Sequence, residues 1–385
     1  MDVIVIGAGV SGLVSAIELS RSGVNVVLLE EHEQVGIPSH CAGMVSSDYH
    51  EKLGIPLRSV LDLNSLYGVR FTNGSEELEF RIRNPIAKVI SRKRLDLYLS
   101  EIAQGNGSRI FTTERAVALE QNSSTVTVTN ERGKQFRADY AIVADGIAGR
   151  INRSVWRERK VSGVFPSAQS IARVKTDPSL ATVFLSNEVA PDFFAYVVPL
   201  DEELARIGVA SRKHDVLRSL ESVSRKLGAS LIGKPHLWGI PIGDPVGRTR
   251  AGRVLGVGDA VGRVKATSGG GIVFGGLSAR LAASDLLSEA GKGTRKDENP
   301  FETRLLTQMQ YMFLMRRVIN GIGQDLFYET IAHGINTKKA SGFLERADFD
   351  FHGSPSGIIK MIRLNPFWLS FCLRAGLRLF NASFK

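Results

Sequence analysis

Residues 3–12 read Val3-Ile4-Val5-Ile6-Gly7-Ala8-Gly9-Val10-Ser11-Gly12, four apolar β-branched residues followed by a glycine-rich turn. The apolar run predicts a buried strand, and apolar residues recur at helical spacing from Leu13 to Leu19. The segment therefore predicts a strand, a tight turn and a helix, the arrangement in which a pyrophosphate lies against the helix N-terminus. Gly7 permits the turn, Gly9 lets the backbone approach the phosphates, and Gly12 lets the helix pack closely on the strand.

A carboxylate stands at the end of the second predicted strand. The apolar run Val26-Val27-Leu28-Leu29 ends at Glu30, at about the distance from the glycine turn that dinucleotide-binding folds use, roughly 20 residues. A carboxylate there accepts hydrogen bonds from the ribose hydroxyls of an adenine dinucleotide. The fingerprint fits NAD as well as FAD, because both cofactors present the same pyrophosphate.

Two later segments repeat the pattern of an apolar strand that ends in a small-residue turn. Ala141 to Ala144 precede Asp145-Gly146, and Val254 to Val257 precede Gly258-Asp259. The second of them continues into Gly269, Gly270, Gly271 and Ile272, which open a long predicted helix whose free N–H groups stabilise negative charge. Three separated segments that converge on one ligand favour tightly bound FAD over a transient nucleotide. Each later segment alone is also compatible with an ordinary strand-to-turn junction.

Length and composition describe an ordinary globular chain. Its 385 residues, 43% of them hydrophobic, can form one elaborate domain or two domains with a large core. The net charge of +10 favours a membrane surface or a phosphate-bearing ligand, because no zinc, RNA-recognition or basic-zipper signature for nucleic acid accompanies it. Cys41 and Cys372 are the only cysteines, too few for a disulfide framework or an iron–sulfur cluster, and no metal site is expected. With a strand predicted from Asp2, which leaves no room for a signal peptide, we expect a cytoplasmic location.

The order of the predicted elements indicates an α/β fold. It comprises a Rossmann-like FAD-binding domain interleaved with an antiparallel-sheet substrate domain, followed by a C-terminal helical region. Helices are predicted from about Leu95 to Gln104 and near Val216 to Leu227. The predicted boundaries assign 1–67, 85–155 and 248–292 to the FAD-binding domain, 68–84 and 156–247 to the substrate domain, and 293–385 to the helical region.

The loop Val35-Gly36-Ile37-Pro38-Ser39-His40-Cys41-Ala42-Gly43-Met44-Val45-Ser46 carries a narrower signature. Together with the three glycine-containing segments in this order, it resembles the p-hydroxybenzoate hydroxylase-like flavoproteins, and within them the geranylgeranyl reductase family, whose loop reads GxPxxCAGxxS. The class resemblance covers nearly the whole chain. It implies an FAD-dependent reductase that saturates C=C double bonds of geranylgeranyl chains of lipids or diphosphates. It also implies that the arginine before a helix, here Arg92, contacts the cofactor.

Two positions depart from the family pattern. Ala266-Thr267-Ser268 stands where many members carry a proline before the glycines, and Phe194-Ala195-Tyr196-Val197-Val198-Pro199 lacks the tryptophan of the aromatic YxWxFP strand. The register of that strand matches, so the resemblance implies a substrate-facing role for Phe194, Tyr196 and Pro199. A flavin-dependent halogenase is disfavoured, because Leu200 stands where such enzymes carry a lysine and the paired tryptophans are missing.

Reduction of an isolated alkene by hydride needs a proton donor, because such an alkene is not electrophilic. Cys41, supported by His40, is the candidate, since the loop after the second strand can fold toward the flavin ring. The alternative is a small buried cysteine that only packs. No second glycine fingerprint serves a resident nicotinamide, so we expect electrons from transient NAD(P)H or a ferredoxin-like donor. The alternative functions are an aromatic flavin monooxygenase and an electron-transfer dehydrogenase with a quinone or ferredoxin partner.

The C-terminal tail combines apolar and basic residues. Its cations are Lys360, Arg363, Arg374 and Arg378. Its apolar residues are Ile358, Ile359, Met361, Ile362, Leu364, Phe367, Trp368, Leu369, Phe371, Cys372 and Leu373. Such a segment fits a membrane interface, with the cations toward lipid phosphates, and it fits equally a helical pair packed on the core. The first alternative predicts peripheral binding of a polyprenyl-lipid enzyme at the inner face of the cell membrane.

Overall fold

A computed structural model describes residues 1–39, 41–56, 62–156, 163–242, 249–292, 300–335, 340, 342, 345 and 348–350. His40 and the tail from residue 351 onward lie outside the described residues. The predictions made for them therefore stay predictions, as do the domain boundaries.

The amino-terminal strand and turn lie in a six-stranded sheet. In spatial order its strands are β18 (Arg250–Ala251), β19 (Val254–Gly256), β12 (Tyr140–Val143), β1 (Asp2–Ile6), β2 (Asn25–Leu29) and β8 (Arg109–Phe111). All neighbours are parallel except the edge pair β18 and β19. Because parallel strands end at the same edge of a sheet, the turns after β1, β2 and β12 lie side by side.

A second, seven-stranded sheet is antiparallel apart from one pair. In spatial order its strands are β17 (Ser230–Ile242), β13 (Gly163–Arg173), β16 (Leu204–Ala210), β15 (Phe194–Pro199), β14 (Leu180–Phe184), β5 (Gly68–Thr72) and β6 (Glu77–Arg81). The parallel pair is β14 and β5. Helix α5 (Val216–Lys226) covers one face, where it packs on Ala168, Ile207 and their neighbours. Side chains alternate along a strand, so Gln169 and Arg206 belong to the opposite face.

The remaining described elements are short strands and helices. Two three-stranded antiparallel sheets are formed by β11 (Gln135–Ala138), β10 (Val126–Asn130) and β9 (Ala116–Gln121), and by β3 (Met44–Ser46), β7 (Ala87–Ile90) and β4 (Asp62–Leu66). The other helices are α1 (Val10–Arg21), α2 (Tyr49–Leu53), α3 (Arg92–Gly105), α4 (Arg150–Val155), α6 (Ile272–Glu289), α7 (Pro300–Ile322) and α8 (Gln324–Gly334).

The largest core lies where α1 packs against the six-stranded sheet and α6. Leu13 and Ile17 of α1 are fully buried there, and burial of such a side chain contributes about 1.5–3 kcal/mol. The predicted fold class, a Rossmann-like sheet interleaved with an antiparallel sheet and followed by helices, is confirmed. Among the described helices, none is both long enough and apolar enough to cross a bilayer.

Candidate cofactor and active site

The turn between β1 and α1 has no room for a side chain at Gly7 or Gly12. Gly7 has φ +101°, and a Cβ there would lie 2.4 Å from the carbonyl oxygen of Ala144, at the end of β12. A Cβ at Gly12 would lie 1.9 Å from the Gly7 carbonyl oxygen. A cavity of about 260 Å³ opens beside this turn, at the carboxyl ends of the parallel strands. Its lining includes Gly9, Glu30, Arg92, Asp145 and Gly146.

Glu30 is buried at the end of β2 and is fixed by the turn itself. Its Oε2 accepts a hydrogen bond from the backbone N–H of Ala8 at 2.7 Å. Its Oε1 accepts from the backbone N–H of His32 at 3.0 Å and lies 2.6 Å from Nδ1 of the same histidine. The expected carboxylate is therefore held at the rim of the cavity. His32, whose side chain is half exposed, is a neighbour that sequence reasoning did not single out.

The second motif lines the same cavity, next to the glycine turn. Asp145 Oδ2 accepts hydrogen bonds from the backbone N–H groups of Ile151 and Asn152, at 2.9 and 3.1 Å. This carboxylate therefore fixes the start of α4. A Cβ at Gly149 would lie 2.0 Å from the same side chain, so the loop closes tightly around Asp145. Both Asp145 and Gly146 line the cavity, but the hydrogen bonds of Asp145 point to a structural role in shaping its wall.

The third motif meets the first through Ser11 and Arg92. Gly258 has φ +61°, and a Cβ there would lie 2.3 Å from Ser11 Oγ. The Asp259 carboxylate makes no hydrogen bond to another described residue. Burial raises the pKa of Asp259, and the nearby Arg92 guanidinium lowers it in part. A carboxylate without a protein donor at this position can accept hydroxyl hydrogen bonds from a bound ligand.

Arg92 connects the motifs electrostatically. Its Nε donates to Asp96 Oδ1 at 2.8 Å, and its Nη2 lies 3.5 Å from the Cβ position of Gly9. Burial lowers the pKa of Arg92, but the hydrogen-bonded Asp96 carboxylate, with the nearby Cys41 and Asp259, raises it by more. The guanidinium is therefore charged and lies between the glycine turn, the Cys41 loop and Asp259.

The glycine run before α6 folds over Lys265. The Lys265 N–H donates to the Gly270 carbonyl at 3.0 Å, and the Gly269 N–H donates to the Lys265 carbonyl at 2.7 Å. Helix α6 begins at Ile272 without a side-chain cap. Its first N–H groups therefore keep the partial positive charge of a helix N-terminus.

The Cys41 loop rests on the face of the seven-stranded sheet opposite α5. Gln169 Nε2 donates to the Cys41 carbonyl at 3.4 Å, and Arg206 Nη1 donates to the Ala42 carbonyl at 2.5 Å. Tyr196 Oη donates to Gln169 Oε1 at 2.7 Å, and the Gly43 N–H donates to Cys41 Sγ at 3.3 Å. Side chains from β13, β15 and β16 thus fix a half-buried thiol.

Charge around this thiol is mostly positive. Burial lowers the pKa of Arg206, and the nearby Cys41 and Tyr196 act in the opposite direction. Burial is also the main cause that raises the pKa of Tyr196. The Tyr196 hydroxyl therefore stays protonated, and the cations nearest to Cys41 are Arg206 and Arg92.

The structure brings most of the predicted substrate-facing residues to this loop. Phe194 and Tyr196 lie on the same face of β15, with ring centroids 6.3 Å apart. Pro199 lies at the far end of the strand, where its carbonyl accepts a hydrogen bond from Asn64 at 3.1 Å. Sequence reasoning missed Gln169 and Arg206. Arg206, an arginine between Ala205 and Ile207 in an apolar strand, was the available signal.

These features define a flavoprotein of the FAD-binding class. The glycine turn, the buried Glu30 carboxylate at the end of β2, the cavity and the Asp259 carboxylate, which accepts no hydrogen bond from the described residues, all fit FAD. Residues 1–216 match the sequence profile of the FAD binding domain family, and the chain belongs to that family.

Sequence similarity to two reductases narrows the class further. Digeranylgeranylglycerophospholipid reductase 2 of Methanothermobacter thermautotrophicus is 26% identical over 348 residues, 84% of this chain and 89% of the relative. Digeranylgeranylglycerophospholipid reductase of Methanosarcina acetivorans is 28% identical over 327 residues, 79% of this chain and 80% of the relative. These similarities confirm the resemblance to the geranylgeranyl reductase family.

Solved structures share the fold over most of the chain. A geranylgeranyl bacteriochlorophyll reductase-like protein of Thermoplasma acidophilum superposes with a TM-score of 0.76 at 17% identity, covering 98% of both chains. A flavin-dependent brominase superposes with a TM-score of 0.69 at 15% identity, covering 93% of this chain and 97% of the other. The fold alone is therefore common to enzymes of different chemistry.

Proposed function

We propose that this protein is an FAD-dependent reductase that saturates C=C double bonds of geranylgeranyl chains carried by a glycerophospholipid or a diphosphate. The names of its relatives support the substrate class. The observation that carries the proposal is the half-buried Cys41 thiol, in a loop whose Cys41 carbonyl accepts a hydrogen bond from Gln169, near Arg92 and the nucleotide motifs. A proton donor at that place suits reduction of an unactivated alkene.

Cys41 is proposed as the proton donor. When bound, FAD supplies two-electron hydride chemistry. One alkene carbon receives the hydride. At the other carbon a C–H bond forms as the S–H bond of Cys41 breaks, and the thiolate left behind takes up a proton from water. The positive charges of Arg206 and Arg92 stabilise the negative charge of that thiolate. A supporting role of His40, outside the described residues, is part of this proposal.

The polyprenyl chain is proposed to lie along the apolar part of the same sheet face. Ile171 of β13 pairs with Arg206 on one side and with Ile232 of β17 on the other. Both isoleucines are exposed, at 41% and 45%. They extend the surface that carries Phe194 and Tyr196 toward the edge of the sheet, where a long alkyl chain can reach solvent or a lipid surface.

Electrons are proposed to come from transient NAD(P)H or a small ferredoxin-like donor.

The basic tail is proposed to bind an anionic membrane. Deletion of the tail from about Gly357 should then leave FAD binding unchanged and reduce sedimentation with vesicles that contain anionic lipid. Loss of solubility or of flavin after the deletion would instead indicate that the tail packs on the core.

Prereduced enzyme tests the proton donor directly. Cys41→Ala and Cys41→Ser should keep a normally reducible flavin, yet reoxidise it at least about tenfold more slowly with geranylgeranyl lipid under anaerobic conditions. Cys372→Ser, at the other cysteine of the chain, is the matched control and should behave as wild type. Stopped-flow absorbance reports the rate, and mass spectrometry reports saturation of the lipid.

Two outcomes would contradict the proposal. Wild-type rates in both Cys41 variants would remove the thiol from the reaction. Reoxidation of wild type only by oxygen, in the presence of an aromatic acid, would favour a monooxygenase.

A further inference from the structure

A buried ion pair joins the glycine run before α6 to the last described segment of the chain. Lys265 Nζ lies 2.9 Å from Asp350 Oδ1, and the two side chains are 5% and 2% exposed. Asp350 Oδ2 also lies 3.1 Å from Nζ of Lys52, in α2. Phe349 covers the Lys265 ammonium, at 4.4 Å from the ring centroid. One carboxylate therefore lies between two ammonium groups in the interior.

Lys265 lies directly beneath the glycine run. A Cβ at Gly270 would lie 2.6 Å from Lys265 Cε and 3.3 Å from its Nζ. The backbone of Lys265 is hydrogen-bonded to Gly269 and Gly270, so side chain and loop form one unit. Lys52 contacts the same carboxylate from α2, outside this loop. Of the two cations, Lys265 is the one built into the segment that carries a flavin-binding motif.

The charge of Asp350 is maintained despite its burial. Burial raises the pKa of Asp350, but Lys265 and Lys52 lower it by more, to about 2. Buried pairs of this kind contribute little net stability compared with apolar residues of similar size. Their charges act strongly on a neighbouring group, however, because the interior screens them weakly.

We propose that Lys265 and Asp350 set the reduction potential of bound FAD with opposite signs. Two-electron reduction with uptake of one proton adds one negative charge to the site. The Lys265 ammonium stabilises that charge, whereas the Asp350 carboxylate both opposes it and holds the ammonium in place. Asp350 is thus a positioning residue that acts through Lys265. The inference rests on FAD bound against the glycine run before α6, as the motif predicts, and goes beyond the proposed alkene reduction.

The test uses the full-length, FAD-loaded protein and measures the flavin midpoint potential by anaerobic titration against a reference dye. Lys265→Met removes a cation and should lower the potential. Asp350→Asn removes an anion and should raise it. Each change should alter the ratio of reduced to oxidised flavin at fixed solution potential by roughly tenfold. The double variant should lie near wild type, because the two charges cancel.

A loosened loop would give a different pattern. It would shift the midpoint potentials of both single variants in the same direction, and that result would overturn the proposal. An unchanged potential in either single variant would also overturn it. Lys52→Met is the matched control, since it breaks a bridge to the same carboxylate outside the loop. A shift as large as that of Lys265→Met would also overturn the proposal.

If Asp350→Asn does not retain FAD, Lys265→Arg provides a second test of whether the charge at position 265 sets the potential. Arginine keeps the charge, so its potential should lie near wild type while that of Lys265→Met is lowered. Equal shifts in the two variants would mean that packing, and not charge, is responsible. No alkene substrate enters the measurement, so failure of the proposed function leaves this result interpretable.

Discussion

Gly43 shows how one residue determines the position of the Cys41 thiol. It has φ +72°, and a Cβ there would lie 2.3 Å from Arg206 Nη1 and 2.4 Å from the Ile90 carbonyl oxygen. Both atoms belong to the hydrogen bonds that fix the loop, because Arg206 donates to Ile90 and Ala42. Glycine is therefore required at position 43 by the positive φ and by the close approach of the guanidinium and the Ile90 carbonyl.

Gly43→Ala should displace the Cys41 loop and leave the nucleotide site intact. Left-handed strain together with the clash should cost about 1–3 kcal/mol. We expect normal FAD content but at least about a tenfold loss of lipid reduction, since a misplacement of 1 Å reduces catalysis on the order of a hundredfold. Flavin absorbance and product mass spectrometry measure the two quantities.

Gly105→Ala is the control for this prediction. Gly105 ends α3, and a Cβ there would meet no atom within 4 Å. Alanine should be neutral or stabilise the protein by up to about 1 kcal/mol. Equal activity of the two glycine variants would contradict the role assigned to Gly43.

At the residue scale the sequence predicts which residues carry the motifs better than it predicts which residues contact them. The glycines of the three motifs and Glu30 stand out by spacing, because their chemistry depends on local order along the chain, and Cys41 stands out through the family resemblance of its loop. Gln169 and Arg206 do not, since they reach the Cys41 loop only through pairing of strands far apart in sequence. The motif predicts Asp145 as a cofactor-binding residue, and that role stays a prediction; its hydrogen bonds to α4 depend on a turn that spacing alone does not describe.

The crossing of α1 and α6 is an element-scale feature built from small residues. A Cβ at Gly275 of α6 would lie 2.4 Å from Ser11 Oγ of α1, and the next nearest atoms, Gly258 Cα and Ser11 Cβ, would be 3.5 and 3.7 Å away. The Ser11 hydroxyl is therefore the atom that limits the size of residue 275. The same hydroxyl contacts the Gly258 position, so the crossing also places the Gly258-Asp259 turn.

Gly275→Ala should destabilise the protein by about 1–3 kcal/mol through overpacking and weaken FAD binding. Ser11→Ala should rescue it, because the remaining contacts are of ordinary van der Waals length. Ser11→Ala should not rescue Gly258→Ala, where φ is +61° and Ser11 Cβ would still be 2.9 Å away. Urea denaturation and flavin fluorescence titration measure both effects. Rescue of both glycine variants, or of neither, would contradict this geometry.

Helices were predicted closely because their periodicity and caps are local. Helix α3 was expected from about Leu95 and begins at Arg92, where Ser91 Oγ accepts a hydrogen bond from the Arg94 N–H at 3.4 Å. Helix α5 matches its expected range to within a residue, with Asp215 as the N-cap. The partners of strands are not predicted in this way. The parallel pairing of β14 with β5 joins residues 180–184 to residues 68–72, which are far apart in sequence. No local pattern encodes such a pairing.

At the scale of the whole molecule, Asp350 ties three distant parts of the chain together. It bridges Lys52 of α2 and Lys265 of the glycine run; the contact with Lys265 is buried and the contact with Lys52 is partly buried. Nothing in the sequence near Asp350 predicts this, because an aspartate between Phe349 and Phe351 is equally typical of a surface turn. The carboxylate's contribution can be measured because its pKa differs between the folded and unfolded chain.

The pKa of Asp350 is about 2 in the folded state and 3.8 without the fold. The unfolded chain therefore binds a proton first as the pH falls, and the stabilisation is present above pH 3.8 and lost as the pH approaches 2. Asp350→Asn should lack this component. The difference in unfolding free energy between wild type and variant should accordingly shrink by about 2 kcal/mol between pH 5 and pH 2.

Asp177→Asn is the matched control for the acid titration. The pKa of Asp177 is also lowered to about 2, mainly by hydrogen bonds from Ser179 and Arg81, but its side chain is 31% exposed. Salt at about 0.5 M should therefore weaken the part of the Asp177 contribution that comes from Arg81 and leave the contribution of the buried Asp350 unchanged. Urea denaturation at each pH, with and without salt, separates the two carboxylates. A difference between wild type and Asp350→Asn that stays constant with pH would show that the buried bridge does not carry the charge assigned to it.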